Sequence, residues 1–439
     1  MPEFFPDVKP IAYEGPDSTN PLAFKHYDAS AEVAGKTMAE HMRFAACYWH
    51  CMRGAGADPF GPGTRIMPWE QDASDEMDAA LRTMHAHFEF CQKLTVPYWC
   101  FHDRDIAPEV EDDLAETNRR LDTVVDLAEK LQGDTGIKLL WGTANLFSHK
   151  RFMSGAGTSP FLDAFAHGAA QVKKAMEVTH RLGGEGYVFW GGREGYDTLL
   201  NTKLDVELAH LARLLGMAVE YKKELDFRGQ FYIEPKPKEP TTHQYDYDAA
   251  TCHAFLQKFE LDQDFQLNIE ANHATLAGHS FHHELEYCRI NGLLGSIDAN
   301  RGGDNIGWDT DQFPTNLYDT TLCMLTLLKN GGFTTGGLNF DAKVRRQSSE
   351  PIDLFYAHIG GMDAFARGLK AAAGLLEDGT MPDLVTTRYQ SWSTDLGQQI
   401  EAGDATLADC EKHALSNNLT QVPSSRQELF ENMLNIALS

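Results

Sequence analysis

The 439-residue chain has no C-x-x-C pair, no excess of basic residues and no apolar run long enough to span a membrane. Its eight cysteines, Cys47, Cys51, Cys91, Cys100, Cys252, Cys288, Cys323 and Cys410, are scattered. Such usage in so large a chain reads as reduced thiols in a cytosolic protein rather than a disulfide framework. Lys plus Arg number 38 against 64 Asp plus Glu, a net charge of −26. That balance argues against nucleic acid or an anionic membrane as partner, because both select basic surfaces. The first residues, MPEFFPDVKPIAYEG, lack the basic and apolar regions of a secretory signal, so the cytoplasm is the expected compartment. With 42% hydrophobic residues the chain can build a sizeable core. The length fits one large α/β barrel with an appendage, or two or three ordinary domains.

What recurs along the chain is an architecture rather than a repeat. A short β-rich apolar run ends in a polar residue, and a helical pattern follows. The candidate strands are residues 43–50, 96–103, 138–145, 186–192, 230–236, 265–271, 295–300 and 336–343. Stretches with 3.6-residue periodicity, such as 198–223, separate most of them. Eight strands alternating with helices predict a (β/α)8 TIM barrel, with a doubly wound open sheet as rival. The barrel is expected to occupy residues 1–380, with an N-terminal extension over about 1–40, and a polar helical arm is expected over 381–439.

The residues at the strand ends are His102 and Asp105, Thr143 and Asn145, Trp190, Glu234 and Lys236, Glu270 and His273, Asp298, and Asp341. The loop GWDTDQFP adds Asp309 and Asp311. In a barrel these ends converge on one mouth. Six ionised carboxylates there would cost several kcal/mol per unpaired charge. Lys236 and two divalent cations reduce six negative charges to one, so a two-metal site is expected. Oxygen donors with a single imidazole favour Mg²⁺, Mn²⁺ or Co²⁺ over structural zinc.

The histidine-rich stretch IEANHATLAGHSFHHELE, residues 269–285, divides accordingly. Glu270 and His273 follow a strand directly and can face the mouth. His279, His282 and His283 lie further on and read as capping or packing residues; HHELE fails the zincin spacing, with Tyr287 where the second histidine belongs. His85 and His87, two apart on a helix, diverge and are set aside as a metal pair. His102 with Asp105 is either a held core histidine or an oriented acid–base. Lys236 shares a strand face with Glu234. Trp49, Phe147 and Trp190 are either core or the walls of a pocket.

Segments over nearly the whole chain carry a closer resemblance, among them CFHDRDIAPE (100–109), YVFWGGREGYDTLLNT (187–202), IEPKPKEPTTHQYDYDAAT (233–251), LNIEANHATLAGHSFHHE (267–284), DANRGGDNIGWDTDQFPTN (298–316) and GGFTTGGLNFDAKVRR (331–346). On these motifs the chain resembles the xylose isomerases of the longer class, with an N-terminal extension. The resemblance implies interconversion of D-xylose and D-xylulose, and of D-glucose and D-fructose, by ring opening and a 1,2-hydride shift. It implies one metal on Glu234, Glu270, Asp298 and Asp341, and a second on Glu270, His273, Asp309 and Asp311. It further implies that His102, oriented by Asp105, assists ring opening and that Lys236 polarises the oxygen at C1. Trp49, Thr143, Phe147 and Trp190 would line the sugar pocket, closed by Phe60 of a neighbouring subunit in a homotetramer. A sugar epimerase or a metal-dependent endonuclease on the same barrel, and a non-catalytic sugar- or metal-binding protein, are the competing readings.

Overall fold

The computed structural model describes residues 3–303 and 305–439. Eight parallel strands close into a barrel: β1 Ala45–Cys47, β2 Tyr98–His102, β3 Lys138–Thr143, β4 Gly186–Trp190, β5 Gln230–Glu234, β6 Phe265–Glu270, β7 Leu294–Asp298 and β8 Leu338–Phe340. Each pairs with the next in chain order, and β8 pairs with β1. The open-sheet alternative is thereby ruled out. Between the strands run α1 Glu76–Leu94, α2 Leu114–Thr135, α3 Leu162–Arg181, α4 Leu204–Glu224, α5 Ala249–Lys258, α6 Phe281–Ile290 and α7 Leu317–Asn330, and α8 Asp353–Glu377 follows β8.

Local chemistry sets these limits. Asp75, Asp113, Asp248 and Asn316 cap the N-termini of α1, α2, α5 and α7 with side-chain oxygens. Gly136 and Gly331 end α2 and α7 in the left-handed region. Most of the core lies between barrel and helices, built from residues such as Phe88, Trp99, Phe231, Phe265 and Leu285. A second cluster fills the barrel itself: Ala45, Tyr98, Cys100, Leu140, Trp141, Val188 and Tyr232. Tyr232 needs glycine on both sides. A Cβ on Gly186 would lie 2.5 Å from its ring and one on Gly295 2.3 Å from it.

All eight strands are shorter than their apolar runs, β1 and β8 by the most, at three residues each. After Cys47 the chain winds into one wide helical turn, Trp49–Arg53, and the Arg65 guanidinium donates to the carbonyls of His50, Cys51 and Gly54 at 2.7–2.9 Å. After Phe340, the Asn339 carbonyl accepts from both Ala299 and Asp341, which bends the chain at once. These turns deliver His50 and Asp341 to the barrel mouth.

The N-terminal segment lies across the barrel. Backbone N–H groups of Lys25, His26 and Tyr27 donate to Asp363 on α8 at 2.8–2.9 Å, and Phe4 and Phe5 donate to Glu89 on α1. Beyond α8 come α9 Thr380–Tyr389, α10 Asp395–Ala402, α11 Leu407–Ser416 and α12 Gln427–Ala437, with no strand among them. Within this stretch Val385, Tyr389, Trp392, Leu407, Leu415 and Ile436 are exposed. No helix among the described residues is long and apolar enough to cross a membrane.

Gly295→Ala should destabilise the protein by about 1–3 kcal/mol, because the added methyl overpacks the barrel against Tyr232. A urea midpoint unchanged from that of the parent protein would contradict this packing.

Candidate active site

Register at the strand ends builds the site. Trp190 lies opposite Glu234, Glu270 opposite Asp298, and Asp298 opposite Asn339. Trp49, His50, His102, Trp141, Thr143, Phe147, Val188, Trp190, Glu234, Glu270, His273, Asp309, Asp311 and Asp341 line one cavity of about 160 Å³. Asp298 is fully buried, and oxygens of Glu234, Glu270, Asp298 and Asp341 lie within 4.8 Å of one another. Glu270, Asp309 and Asp311 form a second such group, and Glu234, Glu270 and His273 a third. Glu270 belongs to all three.

Of the strand-end residues expected at the mouth, Asn145 stands apart, whereas Phe60 is expected only at a neighbouring subunit's pocket. Phe60 is 88% exposed and lines no part of the cavity. Asn145 is buried and caps its own loop through Phe147 and Ser148. Asp105 sits behind His102, its Oδ2 2.7 Å from Nδ1.

An amide layer, not anticipated from sequence, holds the carboxylates. Asn268 donates to Glu234 at 3.0 Å and to Asp298 at 2.8 Å. Asn339 donates to Asp298 at 2.8 Å, Asn300 to Glu270 at 2.7 Å, and Asn272 to Asp309. His50 was missed too: its Nε2 lies 3.0 Å from Asp341 and 3.2 Å from Asp311. Lys343 joins Asp311 at 2.8 Å. A spacing signal did exist. Asn268 and Asn339 stand two residues before Glu270 and Asp341, and Asn300 two after Asp298; within β6 the strand's period of two puts Asn268 on the face of Glu270.

The electrostatics divide the cluster. Burial, then the charges of Asp298 and Asp341, push Glu234 well above the carboxylate range; burial and Asp309 do the same to Glu270. Burial and Asp341 carry Asp298 up to about 8. Asp309 resists burial and is held low by His273 and Lys236, and Asp341 likewise by His50 and Trp49. Burial opposes charge on His50, yet its bonds to Asp311 and Asp341 raise it to about 10. Lys236 is buried, 2.8 Å from Asp309, with its charge over the Trp190 ring at 5.3 Å.

Six ionised carboxylates facing two lysines and a protonated His50 would leave three negative charges. Carboxylate oxygens with an imidazole suit a hard or borderline divalent cation. His273 turns its Nε2 into the cluster, 3.1 Å from both Glu270 and Asp309, which sets an imidazole nitrogen among the carboxylate oxygens. The residues fit a metal.

Over 432 residues the chain is 57% identical to the xylose isomerase of Rhodopirellula baltica, covering 98% of each chain. The chain belongs to the xylose isomerase family. It is also 55% identical over 435 residues to the xylose isomerase of Thermotoga maritima, covering 99% of this chain and 98% of that one. Residues 385–438 match the model of the XylA2 C-terminal domain. Among solved structures, the apo 3-keto-D-glucoside 4-epimerase from E. coli superposes with a TM-score of 0.50 at 12% identity, over 73% of this chain and 98% of that one. This last likeness shows the fold alone. Family membership favours the isomerase over the epimerase, nuclease and binding-protein readings.

In the metal-free fold, Asp298 keeps a proton up to about pH 8 that the unfolded chain releases near 4. Glu234 and Glu270 act in the same direction. The stability that these three groups contribute to the metal-free protein should therefore fall as pH rises from about 4 to 8, whereas Asp309 and Asp341, held low, contribute stability that is lost on acidification. The rise in Tm on adding Mg²⁺ should be larger at pH 8 than at pH 5, since a cation replaces those protons. Equal rises at the two pH values would contradict the shifted carboxylates.

Proposed function

We propose that the protein interconverts D-xylose and D-xylulose, and D-glucose and D-fructose, as a metal-dependent aldose–ketose isomerase working by ring opening and 1,2-hydride shift. The observation that carries this reading is the carboxylate cluster facing the His102–Asp105 pair across an aromatic-walled cavity, in a chain of this family. Glu234, Glu270, Asp298 and Asp341 would hold one cation; Glu270, His273, Asp309 and Asp311 would hold the other, with Glu270 shared. Mg²⁺ is the expected ion, with Mn²⁺ or Co²⁺ as substitutes. When bound, the pair supplies Lewis-acid stabilisation of charge on the sugar oxygens.

The chain's own residues do the rest. Asp105 accepts from His102 Nδ1, which leaves Nε2 to move the proton that opens the ring. The His102 ring is fixed by Trp49, with centroids 4.2 Å apart, and by Phe147 at 5.5 Å. Phe147 and Trp190, edge to face at 4.4 Å, present apolar surface to the sugar and keep water from the migrating hydride. Thr143 lies alongside, its hydroxyl donated to the Val188 carbonyl. Lys236 donates to the oxygen at C1 as charge develops there.

The same reading extends to assembly. Phe60 and the apolar residues of α9–α12 are suited to contacts with other copies, and we assign them to a homotetramer in which the arm embraces a neighbour and Phe60 closes its pocket. A charge of −26 supports neither nucleic acid nor membrane as partner, and the cytoplasm is the proposed compartment.

Lys236→Ala should lower kcat by about 10²–10³-fold while the protein keeps its Mn²⁺ stoichiometry; wild-type turnover would refute the role. D-xylose converted with Mg²⁺ in deuterated water should give xylulose nearly free of solvent deuterium at C1. Full incorporation would identify an enediol route instead.

A further inference from the structure

We propose that His279, His283 and Glu284 form a separate binding site for a divalent transition-metal ion, of which Zn²⁺ is the type, on the outside of the barrel beside the carboxylate centre. One ligand atom from each of the three lies within 4.8 Å of the others. The two imidazole rings are 4.9 Å apart and tilted by 36°, His279 on the link after the short helix Ala271–Ala277 and His283 in the first turn of α6. Glu284 is buried. Its Oε2 accepts from the Ala249 N–H at 2.8 Å, which fixes the carboxylate, and its Oε1 is turned toward His279, 4.0 Å from Nε2. Asp248 Oδ2 lies 3.1 Å from the same Nε2, and its Oδ1 accepts from Thr251 as the cap of α5. Both carboxylates thus converge on one imidazole nitrogen, where a cation would find oxygen and nitrogen donors together.

Ligand choice distinguishes this site from the barrel mouth. Two imidazoles and one carboxylate suit Zn²⁺, Ni²⁺ or Co²⁺ and are poor donors for Mg²⁺. Tetrahedral ligands about 2.0–2.1 Å from zinc stand about 3.4 Å apart. His283 is exposed, so its ring can swing inward by the required ångström without disturbing the core. Backbone geometry already points the groups together. Gly278 ends the short helix in the left-handed region, and Ser280 caps α6 by accepting from the His283 N–H, so His279 is held in a link of fixed shape.

Occupancy would fasten three pieces of chain: the start of α5, the link at His279, and the first turn of α6. Asp248 and Glu284 also line a small cavity with Glu270 and His273, so the fastened segment backs the ligands of the proposed catalytic metals. The added ion would act as a staple, binding only the folded chain and stabilising it.

The test uses the full chain, stripped with chelator and then given saturating Mg²⁺. Zn²⁺ is titrated into wild type, His283→Ala and His279→Asn/His283→Ala, and bound zinc per chain is counted after gel filtration. The wild type should bind one more zinc per chain than the double variant, and His283→Ala should weaken that zinc by roughly tenfold or more. Asp309→Asn, altered only at the mouth, should keep it. Unchanged Mg²⁺-supported isomerisation by His283→Ala shows that the variant is folded. Equal zinc counts and affinities in wild type and His283→Ala would overturn the site.

Discussion

A carboxylate moved out of water costs several kcal/mol unless a positive charge meets it, and this barrel gathers six at one mouth. Lys236 and Lys343 answer two of them at 2.8 Å. His50 is drawn toward protonation between Asp311 and Asp341, and Glu234, Glu270 and Asp298 are driven toward holding protons of their own. A protein with no further cation would be under strain at the place where its strands converge. The family's chemistry turns that strain to use, because the charge that binds divalent cations is the charge that the rest of the fold has to restrain.

The restraint comes from the barrel. Parallel register sets Glu270 beside Asp298, and asparagines from neighbouring strands fix the oxygens of Glu234 and Asp298. Below them, Tyr232 fills the barrel between two glycines and its hydroxyl meets Thr335 at 2.6 Å. Side chains so confined lose little freedom when ligands bind, and such preorganisation is what electrostatic catalysis requires. On the opposite wall, Trp49, Phe147 and Trp190 hold His102 and Lys236 against an apolar face.

Much of this was legible in the chain. Seven of the eight strands lie within the apolar runs that announce them and β7 starts one residue before its run, because a strand buried on both faces is a continuous hydrophobic run. The carboxylates stood out as charges at the ends of such runs. His50 did not, because the turn after Cys47 depends on Arg65, fifteen residues on, and no local pattern encodes it. The asparagines carry no charge and so drew no attention, although their two-residue offset from the acids was there to be seen. The short pairings of Ala12–Tyr13 with Ala23–Phe24 and of Glu32–Val33 with Lys36–Thr37 are too brief to leave a pattern. His279 and His283 look like packing residues in one dimension; only folding brings Asp248, over thirty positions earlier, up to the same ring.

Crystals grown with Mn²⁺ and measured at the manganese absorption edge test the central claim most directly. Two anomalous peaks per chain should lie inside the barrel mouth, one among Glu234, Glu270, Asp298 and Asp341, the other among Glu270, His273, Asp309 and Asp311. A mouth containing no peak, with the carboxylates paired only to Lys236, Lys343 and His50, would contradict the account.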